Sequence, residues 1–203
     1  LHLIGKTSFP KRFEANDQST KMVLEAIRYE PGSLQILNQL KLPHQEEYDR
    51  ILNSHDGWLA IKEMRTRGAP AIAIVAALSL AVELHNAKLS DSAVEVSAFI
   101  SEKLDYLLTS RPTAVNLADA ARKLKKIVES TTELDGSNGA AVSKAYCDAA
   151  ARMLSCDVSD NRGIGKYGAE WIAKQAGGGH VSILTHCNTG YAARNSSMDH
   201  GLC

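Results

Sequence analysis

Arg67-Gly68-Ala69-Pro70-Ala71-Ile72-Ala73-Ile74-Val75-Ala76-Ala77-Leu78-Ser79-Leu80-Ala81-Val82 holds the longest apolar run of the chain, and its reading decides the fold. Residues 69–82 are interrupted by Ser79 and fall well short of the ~20 residues that span a bilayer, so they read as a buried helix. Pro70 belongs in the first helical turn, where its missing N–H is not needed. Upstream, from Asp56 onward, Trp58, Ile61 and Met64 recur at three-residue spacing, and Arg67-Gly68 closes that helix with a cation and a glycine.

Toward the N-terminus, two β-capable runs, 24–29 and 33–39, flank Glu30-Pro31-Gly32, which is a hairpin signal. Toward the C-terminus, residues 90–109 carry an apolar stripe of Val94, Ala98, Leu104, Leu107 and Leu108 that ends at Ser110-Arg111-Pro112. A helix over 113–130 follows, with the Lys/Arg-rich residues 122–126 as a solvated face. Beyond the Asp135-Gly136-Ser137-Asn138-Gly139 loop come two more helices, 140–155 and 161–176, parted by a polar turn at 157–162.

Gly177-Gly178-Gly179 then leads into Val181-Ser182-Ile183-Leu184, which reads as a buried parallel strand, and into Thr185-His186-Cys187-Asn188-Thr189-Gly190. Ligands of open α/β sheets meet the protein beyond the carboxyl ends of such strands, so Cys187 sits where a reactive group belongs. A single parallel strand leaves both edges unpaired and needs neighbours. The fold class is therefore α+β, mostly α: an N-terminal β-hairpin and helical domain, followed by the first strand of an α/β domain that is otherwise missing. Residues 22–176 form the hairpin and helical domain, 177–190 start the α/β domain, and 191–203 form a divergent tail. Residues 1–21 begin with Leu, carry mixed charges without an apolar core, and read as a disordered, non-native leader before Met22.

Charges cancel, 23 basic against 23 acidic, and no window concentrates one sign. Nucleic acid and anionic membrane are therefore poor partners, and a small molecule fits better. Cysteines 147, 156, 187 and 203 show no metal-ligand spacing, which points to no metal and to a reduced compartment, cytoplasmic or nuclear.

Two segments can carry chemistry besides Cys187. Arg67-Gly68-Ala69 puts a guanidinium and unencumbered amides before a helix start, where free N–H groups and partial positive charge suit a phosphate; the competing reading is a plain corner in which Arg67 caps the preceding helix. Arg111-Pro112-Thr113 repeats the logic, with Thr113 as a cap. Two such starts in one short chain suit a phosphorylated ligand. Cys187 is either a reactive thiol among loop amides or a buried inert one, and His186 points to the opposite strand face as a packing residue. Gly163-Ile164-Gly165-Lys166-Tyr167-Gly168 matches G-x-G-x-x-G, but no strand precedes it and no acid lies about twenty residues on. Its small residues read instead as a site of close helix packing.

Together, RGAPAI at 67–72, RPTAVNL at 111–117, Asn161-Arg162-Gly163-Ile164-Gly165 with Gly168-Ala169, and THCNTG at 185–190 resemble the methylthioribose-1-phosphate isomerase family. That family shares its fold with the regulatory α, β and δ subunits of translation initiation factor 2B. The resemblance covers residues 22–190. It implies a C-terminal Rossmann-like domain and an aldose–ketose isomerase of methionine salvage, converting 5-methylthioribose 1-phosphate to 5-methylthioribulose 1-phosphate with no cofactor. It also implies substrate binding by Arg67, Gly68, Ala69 and Arg111, catalysis by Cys187 with an aspartate absent from this chain, and a homodimer. This 203-residue chain alone is expected to turn over negligibly and to form no stable dimer. A non-catalytic interaction protein or a regulatory-subunit relative is the alternative, against which THCNTG and RGAPAI speak.

Overall fold

A computed structural model describes residues 25–177; the expectations for residues 1–21, for most of 177–190 with Cys187 and His186, and for 191–203 lie outside them. The described residues form a small antiparallel sheet and five helices in the order β1 (Ile27–Glu30), β2 (Ser33–Leu37), β3 (Tyr48–Ile51), α1 (Ser54–Lys62), α2 (Ala69–Asn86), α3 (Ala93–Leu108), α4 (Val115–Thr132) and α5 (Gly139–Ala176).

The expected hairpin is β1–β2, turned at Pro31-Gly32, where Gly32 takes φ +81. β3 adds a third strand that the sequence reading lacks, giving the order β1-β2-β3 with Leu34 opposite Ile51. Leu34, Ile36 and Ile51 face the core, so alternation of the strands sets which sheet face is buried.

α2 is the axis of the domain. It is apolar all round, as a helix surrounded by other elements must be. By length and composition alone it could cross a membrane, yet it packs here against α1, α4, α5, α3 and the sheet. Two contacts show how tightly. At Gly57 on α1, an added Cβ would stand 2.3 Å from Ser79 Oγ, and the buried Tyr146 of α5 donates its hydroxyl to Ala77 O at 3.1 Å. Burial pushes the Tyr146 phenol well above its ordinary pKa, so it stays a neutral donor.

Four local expectations are corrected. α1 stops at Lys62 rather than running to Arg67, because Met64 turns into the left-handed region at φ 61, leaving its side chain exposed. On α3 the buried stripe is Val96, Ile100, Leu104 and Leu107; Val94 lies on the opposite side, 69% exposed. α4 is capped by Ala114 and not by Thr113. The two helices expected after Asn138 are one, α5, which runs through 157–162 without a break. Every residue there tolerates helix, and Asn161 Nδ2 bonds back to Asp157 O inside it. Along α5 no residue after Ala150 is buried, and a Cβ at Gly163 or Gly168 would meet nothing within 4 Å. Close packing therefore does not explain those glycines among the described residues.

Candidate functional site

The capping of the five helices separates them into two kinds. α1, α3 and α5 begin with side-chain caps: Asn53 Oδ1 accepts from Asp56 N, Ser92 Oγ from Glu95 N, and Asn138 Oδ1 from Ala141 N. α2 and α4 begin with Gly68 and Ala114, which have no capping side chain, and neither helix carries an acid in its first turn. Among the described residues no side chain caps their leading amides and no first-turn acid offsets their positive dipole ends. These are the two helices approached through Arg67 and Arg111.

The corner before α2 is held from several sides. Arg65 N and Thr66 N both donate to Ala60 O, and Thr66 is buried. Arg65 Nη1 meets Asp49 Oδ2 of β3 at 2.7 Å and its Nε meets Glu63 Oε2 at 2.8 Å. Partial burial alone would lower the Arg65 pKa, but its bonds to Asp49 and Glu63 hold it above the ordinary value, so it is a fixed cation. Asn38 Nδ2 also donates to Asp49, at 3.1 Å, and the buried Gln39 donates its backbone N–H to Arg65 O at 2.9 Å. The sheet thus clamps the three residues before Gly68.

Gly68 itself has φ 95 and ψ 132, a conformation that costs any residue with a Cβ about 1–3 kcal/mol. Arg67 Nε donates to Met64 O at 3.2 Å. Met64 lies two residues beyond α1, so this bond ties the guanidinium to the loop and not to a helix carbonyl; Nη1 and Nη2 make no hydrogen bond among the described residues. One edge of the guanidinium is thus held by the loop after α1, and the other is without a hydrogen bond among the described residues.

Arg111 is half-buried, and its guanidinium has no hydrogen-bond or ion-pair partner among the described residues. Its carbonyl accepts from Ala114 N at 2.9 Å, which forms the tight turn into α4. Pro112, Thr113 and Val115 around it are exposed, Val115 to 78%. Among the described residues no hydrogen bond or ion pair joins the Arg67 and Arg111 segments. α1 links them: it leads into Arg67, and its Trp58 donates Nε1–H to Thr109 Oγ1 at 2.8 Å, two residues before Arg111. No group of three or more His, Cys, Asp and Glu suited to a metal occurs among the described residues.

Two open cavities lie elsewhere. One, of about 460 Å³, is bounded by Tyr29, His85, Lys144 and Cys147 near the far end of α2, and burial pushes the Cys147 thiol up, away from the reactive thiolate. The sequence reading missed the clamp of Asn38, Gln39, Asp49 and Arg65. Its members lie in a loop and a strand without a local signal tying them to residue 67.

The molecule is thus a mostly helical domain with a three-stranded sheet, in which two arginine-led helix starts are left open. The chain belongs to the Initiation factor 2 subunit family, whose model matches residues 65–196. It is 65% identical over 175 residues to a methylthioribose-1-phosphate isomerase of Pyrenophora tritici-repentis, covering 85% of this chain and 45% of that protein. It is 58% identical over 179 residues to a methylthioribose-1-phosphate isomerase of Aspergillus clavatus, covering 85% and 46%. The chain therefore spans less than half the length of these relatives. Among solved structures it resembles 5-methylthioribose 1-phosphate isomerase from Pyrococcus horikoshii OT3, at TM-score 0.66 and 30% identity over 73% of this chain and 41% of that one. It also resembles the delta subunit of translation initiation factor eIF-2B from A. fulgidus, at TM-score 0.64 and 29% identity over 73% and 42%.

Proposed function

We propose that this chain carries the N-terminal part of a methylthioribose-1-phosphate isomerase, and that its share of the work is to hold the phosphate of 5-methylthioribose 1-phosphate. The observation that carries the reading is the pair of uncapped, acid-free helix starts at α2 and α4, each led by an arginine with guanidinium N–H groups that no described residue accepts from. Amides at a helix N-terminus and a guanidinium both donate to phosphate oxygens, and the half-buried Arg111 gains a counter-charge it otherwise lacks.

The reaction gives that grip a purpose. Phosphate on the anomeric oxygen stops the sugar from opening spontaneously, so the ring must be opened by a positioned acid before hydrogen moves from C2 to C1. Anchoring the phosphate fixes C1 and C2 relative to the catalytic groups. Cys187, outside the described residues, is the group that the family resemblance assigns to catalysis, with an aspartate that this chain does not contain. Structural likeness does not separate isomerase from regulatory subunit, but identities of 65% and 58% to named isomerases favour the enzyme.

Titration of the chain with 5-methylthioribose 1-phosphate tests this. Binding is expected, weakened about 10- to 100-fold by Arg111→Ala through loss of a charge-assisted contact, with negligible turnover. Equal affinity in Arg111→Ala refutes the assignment of Arg111. Turnover within tenfold of a complete isomerase refutes the division of labour between this part and the remainder of the enzyme.

A further inference from the structure

The geometry points to Trp58 and Thr109 as positioning residues: their hydrogen bond braces the Arg111 loop against α1, the same helix that ends at the Arg67 corner. The inference rests on the reading of Arg67 and Arg111 as phosphate ligands.

No hydrogen bond or ion pair ties one arginine loop to the other among the described residues, so their spacing is set through the scaffold. Thr109 is the C-cap of α3, and two residues later the chain reaches Arg111. Its Oγ1 accepts Trp58 Nε1–H at 2.8 Å and donates to Tyr106 O at 2.7 Å, so a single hydroxyl fastens both the last turn of α3 and the side of α1. Trp58 cannot easily rotate away from it. Its ring stacks on Tyr106 at 5.7 Å between centroids and on His55 at 6.3 Å, and Lys62 Nζ lies over it at 5.9 Å. The Tyr106 hydroxyl and His55 Nδ1 stand 2.6 Å apart and close the cluster. Ser110, next in the chain, is buried with Oγ bonded to Leu107 O, so movement is transmitted to Arg111 rather than absorbed before it.

Packing alone would not need this arrangement. Thr109 is exposed, His55 is exposed, and the core beneath is formed by Ala60, Ile61, Leu104 and Leu107. What the bond adds is a fixed distance between α1, whose C-terminal loop leads from Lys62 to Arg67, and the turn that presents Arg111. A phosphate gripped by both needs that distance set before it arrives.

The test uses the whole 203-residue chain and α-D-ribose 1-phosphate as probe, with affinity and thermal midpoint measured on the same samples. Trp58→Phe keeps a stacking ring but deletes the donor; Thr109→Val keeps the shape but deletes the acceptor; Thr109→Ser retains it. Each deletion is expected to weaken binding about three- to tenfold, the double variant no further, and Thr109→Ser to restore affinity. A merely structural bond would lower the midpoint and leave the affinity of the folded protein unchanged, which overturns the proposal. Additive losses in the double variant overturn it too, because the two groups would then act separately. If Trp58→Phe folds poorly, the exposed Thr109 pair decides alone. Arg111→Ala distinguishes the levels of failure: if it also leaves affinity unchanged, the phosphate reading itself falls.

Discussion

Glu83 is the side chain whose removal tests how the helices are held around α2. Its Oε2 accepts the backbone N–H of Ser54 at 2.7 Å in the first turn of α1, and its Oε1 receives Lys103 Nζ of α3 at 2.8 Å. The two side chains are 17% and 28% exposed. Burial pushes the Glu83 carboxyl up, but the bonds from Lys103 and Ser54 outweigh it and hold the pKa below the ordinary 4.5. Glu83→Gln removes the charge and retains an acceptor for Ser54; Glu83→Ala removes both and leaves an α1 amide without a partner. A hydrogen bond to a charged group contributes about 1.5–3 kcal/mol, and a partly exposed ion pair falls well below the ~3–5 kcal/mol of a buried one. Losses of about 1 kcal/mol for Gln and about 2–3 kcal/mol for Ala are therefore expected.

The pH dependence has a definite sign. With the folded pKa depressed, the unfolded state binds the proton first as pH falls. The stabilisation is complete above the unfolded value near 4.5 and is lost as pH drops through the lower folded value. The gap between wild type and Glu83→Gln should be widest near neutrality and close in acid. Urea unfolding followed by far-ultraviolet circular dichroism, at neutral pH and in steps below pH 4.5, measures it. A Glu83→Ala loss under about 0.5 kcal/mol, or a Gln gap independent of pH, would refute the reasoning.

Gly57→Ala should cost about 1–3 kcal/mol, since the new Cβ would stand 2.3 Å from Ser79 Oγ and 2.5 Å from Ser79 Cβ; partial rescue by Ser79→Gly, read from denaturation midpoints, checks that this contact is the cause.

Where local chemistry decides structure, the sequence was legible. Pro31-Gly32 between β-capable runs marked the hairpin, and the apolar run from Ala69 marked the buried axis. β3 was not legible: Tyr48-Asp49-Arg50-Ile51 is short, mostly polar and follows a ten-residue loop, and it becomes a strand by pairing with β2. The continuity of α5 was missed for the opposite reason. The run is polar enough to read as a turn, although nothing in 157–162 forbids helix and none of its residues is fully buried. The candidate site was half visible. Arg67 and Arg111 stand out by their helix-start context, whereas Gln39, Asp49, Trp58 and Thr109 act only through contacts spanning 16 to 51 residues of sequence or reach their partners through the backbone.

The capping pattern sets the two helix starts behind those arginines apart from the others. A helix start that serves only stability gains about 1 kcal/mol from Ser, Asn, Asp or Thr at its cap, and α1, α3 and α5 each have one. α2 and α4 forgo that gain, and α2 adds a glycine in a conformation that disfavours any other residue. An amide left for a ligand cannot also be satisfied by its own chain. On the proposed phosphate-binding reading, the missing caps leave those amides for the ligand. Introducing a cap, as in Ala114→Asp, should stabilise α4 by a few tenths to about 1 kcal/mol while weakening binding of the phosphosugar. A variant that gained stability and kept full affinity would show that the open amides of α4 play no part in binding.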